Sequence, residues 1–294
     1  MRAPRQRRVR TQSGLELSVL EWNPKAAHTV LLVHGFLDLA WGFAPLADFF
    51  GDIHLVAPDM RGHGDSERVG AGGYYHFFDY VPDLADVINA CAGDELTLVG
   101  HSMGGTITGY YTATFPERVT RLAMLEGLGP PVGAPAGPDR TRGWIEAMAR
   151  VREKPQRSYA TLTEAAQRLR DNDALLSESL SLWLAEKSTL TGSDERLRFK
   201  HDPLHVTRGP YPFAAEVGER FFAAIKCPVL LVDGAESQLF ISREDAERRA
   251  AVIAHAERHT VAGAGHMMQR HQPEALAHRL LAFMRSTHLP LRQV

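Results

Sequence analysis

One serine, flanked on both sides by glycine, is the residue best placed in this sequence to do chemistry. Leu96–Val99 is an apolar run typical of a buried strand, and it leads directly into the pattern G-x-S-x-G at Gly100–Gly104. A helix is predicted to follow, through about Phe115. This is the strand–turn–helix context of a nucleophile elbow, in which a tight turn strains the serine backbone and lifts the hydroxyl out of the sheet. Both flanking glycines are expected because side chains there would collide with the neighbouring strand and helix. The pattern predicts that Ser102 is a nucleophile suited to acyl transfer.

A serine hydroxyl is a weak nucleophile near neutral pH, so it needs a base, usually a histidine that a carboxylate holds in the correct tautomer. In chains with this elbow the order is serine, acid, histidine, and the base should therefore follow the last strand. His266 lies there, in a glycine-flanked loop after a strand predicted at Arg258–Val261. The other nearby histidines fall on predicted helices or at a strand edge, where solvated side chains are expected: His255, His259, His271 and His278. We predict that His266 is the general base.

Acyl transfer also needs N–H donors for the oxyanion that forms on the substrate carbonyl. One donor should be the backbone N–H of Met103, the residue after the nucleophile. The other should come from the loop after the first buried parallel strand, where His34, Gly35 and Phe36 follow one another. We predict the backbone N–H of Phe36 as the second donor.

A second group of polar residues occupies the predicted loop Pro58–Ser66. We interpret Asp59, Arg61, His63 and Asp65 as structural, because Asp and Gly residues close turns and an arginine can pair with a carboxylate. A metal site is not predicted, since no His or carboxylate pair stands at ligand spacing on a recognised element. The sequence indicates no cofactor.

Composition limits the classes of partner. The chain has 294 residues and a formal net charge of −2, which gives no general attraction to nucleic acid or to an anionic membrane. No apolar run approaches the roughly 20 residues that span a bilayer, and the arginine-rich Met1–Thr11 has no apolar segment after it, as a secretory signal would. Two cysteines, Cys91 and Cys227, are too few for a disulfide framework. We expect a cytoplasmic protein that acts on a small molecule, with its oligomeric state open.

Strands alternate with helices along most of the chain, which predicts a mostly parallel sheet with helices on both faces. The strands preceding and following the elbow are predicted at Leu15–Trp22, paired with Arg7–Thr11, and at Thr29–Val33, Ile53–Ala57, Val119–Leu125 and Pro228–Asp233. The corresponding helices are predicted at Trp41–Phe50, Phe77–Cys91, Phe213–Ile225, Arg243–His255 and Pro273–Thr287.

The alternation stops after the sixth strand. A Gly/Pro-rich stretch at 127–138 has no periodicity, and the segments after it read as helices with no strand between them: Arg142–Arg152, Thr163–Arg170 and Ser177–Lys187. We predict a core formed by residues 1–130 and 217–294, with an all-helical cap at 131–216 over the strand ends. Apolar cap side chains such as Trp183 either pack inside the cap or line a pocket.

The sequence resembles the α/β-hydrolase superfamily over the whole predicted core. The motifs that carry the resemblance are His34–Phe36, Pro58–Ser66, Gly100–Gly104 and Gly265–His266, and the cap is similar to that of serine hydrolase-like proteins. The resemblance implies an α/β-hydrolase fold and hydrolysis of an ester or related bond without a cofactor. Epoxide hydrolases and haloalkane dehalogenases share the fold but use an aspartate nucleophile, so Ser102 argues against both.

The triad acid departs from the family pattern. In most members it stands three residues after the glycine that ends the seventh strand, and here that glycine is Gly234 and the position holds Ser237. Glu236 is adjacent but out of register. Some members place the acid after the sixth strand, where Glu126 stands, and we predict Glu126 over Glu236. The leading hypothesis is a serine esterase or related acyl hydrolase for a small, fairly apolar substrate. Acyl transfer, cleavage of a C–C bond beside a carbonyl, and a binding protein without activity remain alternatives.

Overall fold

The computed structural model describes residues 1–133, 135–154, 156–238 and 241–286, so the predicted helix end at Thr287 and the rest of the predicted core beyond it lie outside the described residues. The strands are β1 (Arg5–Arg10), β2 (Glu16–Trp22), β3 (His28–Val33), β4 (His54–Pro58), β5 (Glu95–His101), β6 (Arg121–Leu125), β7 (Thr189–Thr191), β8 (Leu197–Phe199), β9 (Val229–Gly234) and β10 (Ala256–Val261). The α-helices are α1 (Ala44–Ala47), α2 (Tyr80–Cys91), α3 (Met103–Thr114), α4 (Pro138–Glu153), α5 (Leu162–Asn172), α6 (Glu178–Ser188), α7 (Ala215–Ala223), α8 (Arg243–Ala251), α9 (Met268–His271) and α10 (Pro273–Arg285).

Eight strands form one sheet in the order β1-β2-β4-β3-β5-β6-β9-β10. β1 and β2 form an antiparallel hairpin, and β2 runs antiparallel to β4. All the other neighbours are parallel. The predicted α/β-hydrolase fold, a mostly parallel sheet, is confirmed. Because β3, β5, β6 and β9 are parallel neighbours, their carboxyl ends meet at one edge of the sheet, which is where ligands bind in this architecture.

The core consists of two apolar layers, one on each face of the sheet. In β3, Val30 and Leu32 pack into the layer with α1 and α10, whereas Leu31 and Val33 pack into the layer with α2 and α3. This alternation explains the continuous apolar run that the sequence shows at β3. A parallel strand covered on both faces needs apolar side chains at every position.

The predicted insert, residues 131–216, is not all-helical. It contains α4, α5 and α6, but β7 and β8 pair as an antiparallel hairpin, and Tyr159 forms an isolated bridge with Leu197. Strands of three residues are too short to show a two-residue periodicity, so this hairpin left no signal in the hydrophobic pattern. The insert also contains a 3-10 helix at Pro203–Val206.

The helix predicted at Trp41–Phe50 is also shorter than expected. Ala40–Phe43 forms a 3-10 helix, and α1 ends at Ala47. Pro45 stands in the first turn of that short α-helix, where its missing N–H would have no partner within the helix.

The insert packs against the core through specific contacts. The Trp183 ring meets the Trp41 ring of the core edge-on, at 5.7 Å between centroids, with the Lys187 ammonium over both rings. On another side, the Tyr75 hydroxyl donates to the Asp202 carboxylate at 2.8 Å, and Asp202 N–H donates to the Gly62 carbonyl at 2.8 Å. Trp183 therefore lies at the seam between insert and core. Within the described residues, no helix has the length and apolar character needed to cross a bilayer.

Candidate active site

Ser102 stands at the turn between β5 and α3, with φ 53° and ψ −117°. A Cβ at Gly100 would overlap the Gly104 carbonyl and the Thr108 hydroxyl of α3, and a Cβ at Gly104 would overlap the Val33 carbonyl of β3. The predicted reason for both glycines is confirmed: the turn brings helix and strand backbones closer than a side chain allows. This strained turn presents Ser102 at the carboxyl edge of the sheet.

His266 and Glu126 are in direct contact. The Nδ1 atom of His266 lies 2.6 Å from Oε2 of Glu126, and the Glu126 side chain is only 3 % exposed. The carboxylate also accepts the Gly234 N–H at 3.0 Å and the Ser237 hydroxyl at 2.8 Å. Burial alone would raise the pKa of Glu126, but the hydrogen bonds from His266, Gly234 and Ser237 outweigh it and lower the pKa below its ordinary value. Glu126 is therefore held as the charged acceptor that fixes the imidazole proton on Nδ1.

The backbone conformation at Glu126 directs its side chain toward His266. Glu126 follows the last residue of β6 with φ +45°, in the left-handed region, and its N–H donates to the Val232 carbonyl of β9 at 2.9 Å. On the β9 side, a Cβ at Gly234 would overlap the carbonyls of Ala264 and Gly265. Glycine at 234 thus lets the loop that carries His266 lie directly against the end of β9.

The competing carboxylates are placed differently. Glu236 has an exposed side chain, and its backbone N–H donates to the Ala264 carbonyl at 2.8 Å. Burial and then the neighbouring charge of Glu126 raise the pKa of Asp233. Of Glu126, Glu236 and Asp233, the structure brings Glu126 to the His266 ring.

The loop of residues 262–267 is here called the histidine loop. It is held by side chains whose contacts the sequence does not reveal. The carbonyl of His266 accepts Nε2–H of His101, at 2.8 Å. Burial, followed by the nearby His266, keeps the pKa of His101 well below its ordinary value, so this donor is neutral. The interpretation of His271 as a solvated histidine is wrong. Its side chain is 3 % exposed, and it contacts both Gly265 and Asp173.

The two predicted oxyanion donors lie on either side of Ser102. Met103 is the first residue of α3, and the N–H groups of a first helical turn have no partner within the helix. Phe36 follows Gly35, where an added Cβ would lie 3.1 Å from Cβ of Ser102. The loop of residues 34–39, here called the β3 loop, therefore passes directly beside the serine. Both residues therefore belong to segments that adjoin Ser102, and their N–H groups remain the predicted donors for an oxyanion on a Ser102 adduct.

Two neutral histidines hold the β3 loop in place. His34 accepts the Met60 N–H at Nε2, at 3.0 Å, and donates from Nδ1 to the Gly35 carbonyl, at 2.7 Å. His63 accepts the Leu37 N–H at 3.3 Å. Burial first, and nearby histidines second, keep the pKa of His63 well below its ordinary value. Both rings can accept these N–H groups only as neutral imidazoles.

The charged residues of the loop after β4 form the turn contacts and the ion pair that were predicted for them. Asp59, fully enclosed, accepts the N–H groups of Ala40 at 2.7 Å and Asp65 at 2.9 Å. Arg61 forms a buried, bidentate pair with Asp83, at 2.5 and 2.7 Å. Among the described residues, no group of three or more His, Cys, Asp or Glu side chains is arranged to hold a metal ion.

Some contacts of the site had a signal in the sequence and others had none. Ser237 stands three residues after Gly234, the position that holds the acid in most members of the family, and this spacing indicates that it lies close to the acid. The spacing does not reveal that the Ser237 hydroxyl donates to Glu126. The contacts of His101 and His271 depend on where distant segments meet, which spacing along the chain does not encode.

Comparison with known proteins agrees with this fold. Residues 28–270 match the family model described as the alpha/beta hydrolase fold. The chain is similar to Esterase YbfF of Escherichia coli, with 28% identity over 84% of this chain and 89% of that protein. It is also 25% identical to a serine hydrolase-like protein of Dictyostelium discoideum, over 76% of this chain and 65% of that protein. A serine hydrolase-like protein of Danio rerio shares 35% identity over 39% of this chain and 35% of its own length.

The matches to the serine hydrolase-like relatives thus span about a third to two thirds of those proteins. Among solved structures, a thioesterase domain from the curacin biosynthetic pathway superimposes with a TM-score of 0.82 at 25% identity, covering 95% of this chain and all of that domain. A hypothetical protein from Pseudomonas aeruginosa does so with a TM-score of 0.85 at 25% identity, covering 96% of this chain and 99% of that one. The family model spans most of the chain and includes the elbow, Glu126 and His266: this chain belongs to the α/β-hydrolase fold family.

Proposed function

We propose that the protein is a serine hydrolase that cleaves a carboxylic ester, or a related acyl bond, of a small and fairly apolar substrate through an acyl-enzyme intermediate. The observation that carries the proposal is the 2.6 Å contact between His266 Nδ1 and Glu126, beside a serine at an elbow. Family membership makes hydrolysis the expected reaction. The roles of Ser102, His266 and Glu126 rest on their geometry.

In the proposed first step the Ser102 oxygen attacks the substrate carbonyl carbon. Because Nδ1–H of His266 donates to Glu126, the other ring nitrogen, Nε2, is free of a proton and takes the one from the Ser102 hydroxyl. Glu126 stabilises the imidazolium that results. The backbone N–H groups of Met103 and Phe36 stabilise the oxyanion of the tetrahedral intermediate.

The intermediate then collapses. The bond between the carbonyl carbon and the leaving oxygen or sulfur breaks, and the leaving group takes the proton from His266, which leaves an ester on Ser102. Water attacks this ester with His266 again as base. Collapse of the second tetrahedral intermediate returns the proton to Ser102 and releases the carboxylic acid, so that one water is consumed in each cycle.

Exposed apolar side chains of the β3 loop and of the insert support an apolar acyl group. Phe36, next to Gly35 and Ser102, is 48 % exposed. Leu175 of the insert is 48 % exposed, and its Cδ1 would lie 3.3 Å from a Cβ at Gly265. Val206, also of the insert, is 57 % exposed and follows His205, whose ring is 6.1 Å from that of Phe36. Core and insert thus both contribute apolar surface, and we propose that the insert acts as a substrate-selecting cap.

The alternative of an inactive binding protein rested on the absence of an acid at position 237. Glu126 supplies a carboxylate to His266 from the neighbouring strand, so this alternative loses its main argument. Acyl transfer and C–C cleavage would use the same residues with another acceptor or substrate, and no contact in the site favours them over hydrolysis.

Hydrolysis of p-nitrophenyl acetate, butyrate and octanoate tests the proposal. We expect turnover by the wild type with a preference for one apolar chain, and a loss of at least ~10³-fold in kcat for Ser102→Ala. Equal activity of wild type and Ser102→Ala on all three esters would refute Ser102 as nucleophile. Absence of turnover together with tight binding of an apolar acid would favour the binding protein.

A further inference from the structure

A chain of hydrogen bonds connects the insert to the histidine loop. The Gly265 N–H donates to Nδ1 of His271 at 3.1 Å, and Nε2 of His271 lies 2.8 and 3.0 Å from the two carboxylate oxygens of Asp173. Asp173 follows the last residue of α5, in the insert, whereas Gly265 directly precedes His266 in sequence. The connection therefore runs from the insert, through one imidazole, to the residue next to the proposed catalytic base.

This arrangement specifies the tautomer of His271. Because Nδ1 accepts the Gly265 N–H, it carries no proton, and the ring proton must be on Nε2, where it donates to Asp173. The side chain of His271 is 3 % exposed and that of Asp173 is 13 % exposed, so solvent does not readily replace either partner. A buried imidazole with both nitrogens occupied is a rigid connector.

His271 is the last residue of the short helix α9, and a second contact anchors this helix to the core. Arg270, which precedes His271, forms an ion pair with Asp38 of the β3 loop, and the two side chains are 6 % and 2 % exposed. Two neighbouring residues of α9 thus contact two different parts of the protein. Arg270 holds the loop that carries one proposed oxyanion donor, and His271 holds the insert.

We propose that Asp173 and His271 are positioning residues for His266. They tie the histidine loop to the insert, so that the imidazole keeps its register with Ser102 and Glu126 only while the insert is seated. The inference rests on the proposed function and deepens it, since it makes the insert part of what aligns the base and not only of what selects the substrate. A displacement of about 1 Å between reacting groups can cost about 100-fold in rate, so a loosened loop is measurable.

The test removes the insert's half of the connection. In Asp173→Ala, Nε2–H of His271 loses its acceptor, and the ring no longer holds the Gly265 N–H. We expect kcat for a short ester to fall about tenfold while KM changes less than about threefold, because alignment is lost rather than substrate binding. Asp173→Asn keeps an amide oxygen that accepts Nε2–H, and we expect it to stay within about threefold of wild type.

A matched control comes from α5, the helix that Asp173 follows. Asp171 is exposed, and its carboxylate accepts the amide of Gln167 at 2.9 Å, on the surface of α5. Asp171→Ala removes the same charge two residues earlier, inside α5, and should behave as wild type. Thermal unfolding of all variants checks that each is folded at the assay temperature.

Two readouts separate positioning from a purely structural role. The first is the rate at which a small fluorophosphonate labels the serine, since this reaction needs an aligned base but no contact with the insert. We expect Asp173→Ala to be labelled about tenfold more slowly than Asp171→Ala. The second is hydrogen–deuterium exchange of the peptide spanning residues 262–267, which should become faster in Asp173→Ala.

Unchanged labelling and unchanged exchange in Asp173→Ala would overturn the inference, as would a raised KM with kcat and the labelling rate intact. If the wild type is not labelled at all, the proposed function fails instead. The exchange of residues 262–267 then still decides whether Asp173 and His271 hold the loop.

Discussion

The ends of β6 and β9 both lie beside His266, but they contribute different groups to it. At the end of β6, Glu126 contacts the imidazole through its carboxylate, 2.6 Å from Nδ1. At the end of β9, Ser237 occupies the position that holds the acid in most members of the family, and its hydroxyl donates to Glu126 at 2.8 Å. The residue at the expected position thus donates a hydrogen bond to the proposed acid.

This difference shows what the geometry requires. The imidazole needs one carboxylate at Nδ1, and either of two adjacent parallel strands can deliver it because both end at the same edge of the sheet. Glutamate at 126 is one methylene longer than aspartate, which suits the more distant strand. Ser237 then satisfies an oxygen of the carboxylate that would otherwise be buried with fewer donors.

The largest expected effect comes from removing the charge at the end of β6. Glu126→Gln replaces the carboxylate that stabilises the imidazolium and fixes the tautomer, so we expect kcat to fall by up to ~10⁴-fold with little change in KM. The matched change at the end of β9, Glu236→Gln, alters an exposed side chain and should stay within about threefold of wild type. The opposite ranking in steady-state ester hydrolysis would move the acid to β9.

A rescue experiment asks whether the two strand ends are interchangeable. In the Glu126→Gln background, Ser237→Asp places a carboxylate at the usual family position, one bond longer than the serine hydroxyl. We expect it to recover about tenfold or more of the lost kcat, because the new oxygen can approach Nδ1 of His266. Gln238→Asp adds the same charge one residue further on, at an exposed position, and should recover nothing. Equal recovery by both would indicate a general charge effect.

Removing the supporting hydroxyl should have a smaller effect. Ser237→Ala deletes one of the hydrogen bonds that lower the pKa of Glu126, so that pKa rises and the carboxylate is protonated at a higher pH. We expect kcat at neutral pH to fall about three- to tenfold, because Glu126 is then held less firmly against Nδ1 of His266. Gln238→Ala is the control. A kcat for Ser237→Ala equal to that of Gln238→Ala would mean that Ser237 does not support Glu126.

The smallest effect concerns stability. The folded-state pKa of Glu126 lies below its ordinary value of 4.5, so its ionisation stabilises the fold fully above pH 4.5, and that contribution is lost as the pH falls through the folded value. Glu126→Gln has no such contribution. The free energy of unfolding of the wild type should therefore decrease more steeply in acid, by at most about 1.4 kcal/mol for each pH unit. Parallel curves for both proteins in urea titrations would contradict the lowered pKa.

The sequence predicted the parallel sheet because its strands are buried on both faces and read as continuous apolar runs, as at β3. It predicted the elbow because close backbone contacts at Gly100 and Gly104 demand glycine. Both signals are local, since one element and its immediate neighbours determine them.

Contacts between distant segments were not predictable in this way. The hairpin of β7 and β8 has strands of three residues, shorter than any periodicity can reveal. The sequence predicts a solvated His271, because nothing local reveals its partner Asp173, which lies 98 residues away. The sequence favours Glu126 over Glu236 without excluding Glu236. The choice depends on how the end of β9 packs against the histidine loop, which local patterns do not encode.

The most direct test of the central claim, that Glu126 holds His266 so that it activates Ser102, is the rate at which a fluorophosphonate adds to the protein, followed by intact mass. We predict that wild type and Glu236→Gln gain one adduct at the same rate, that Glu126→Gln does so at least ~10²-fold more slowly, and that Ser102→Ala gains none. Equal rates for Glu126→Gln and Glu236→Gln, or an adduct on Ser102→Ala, would contradict the account.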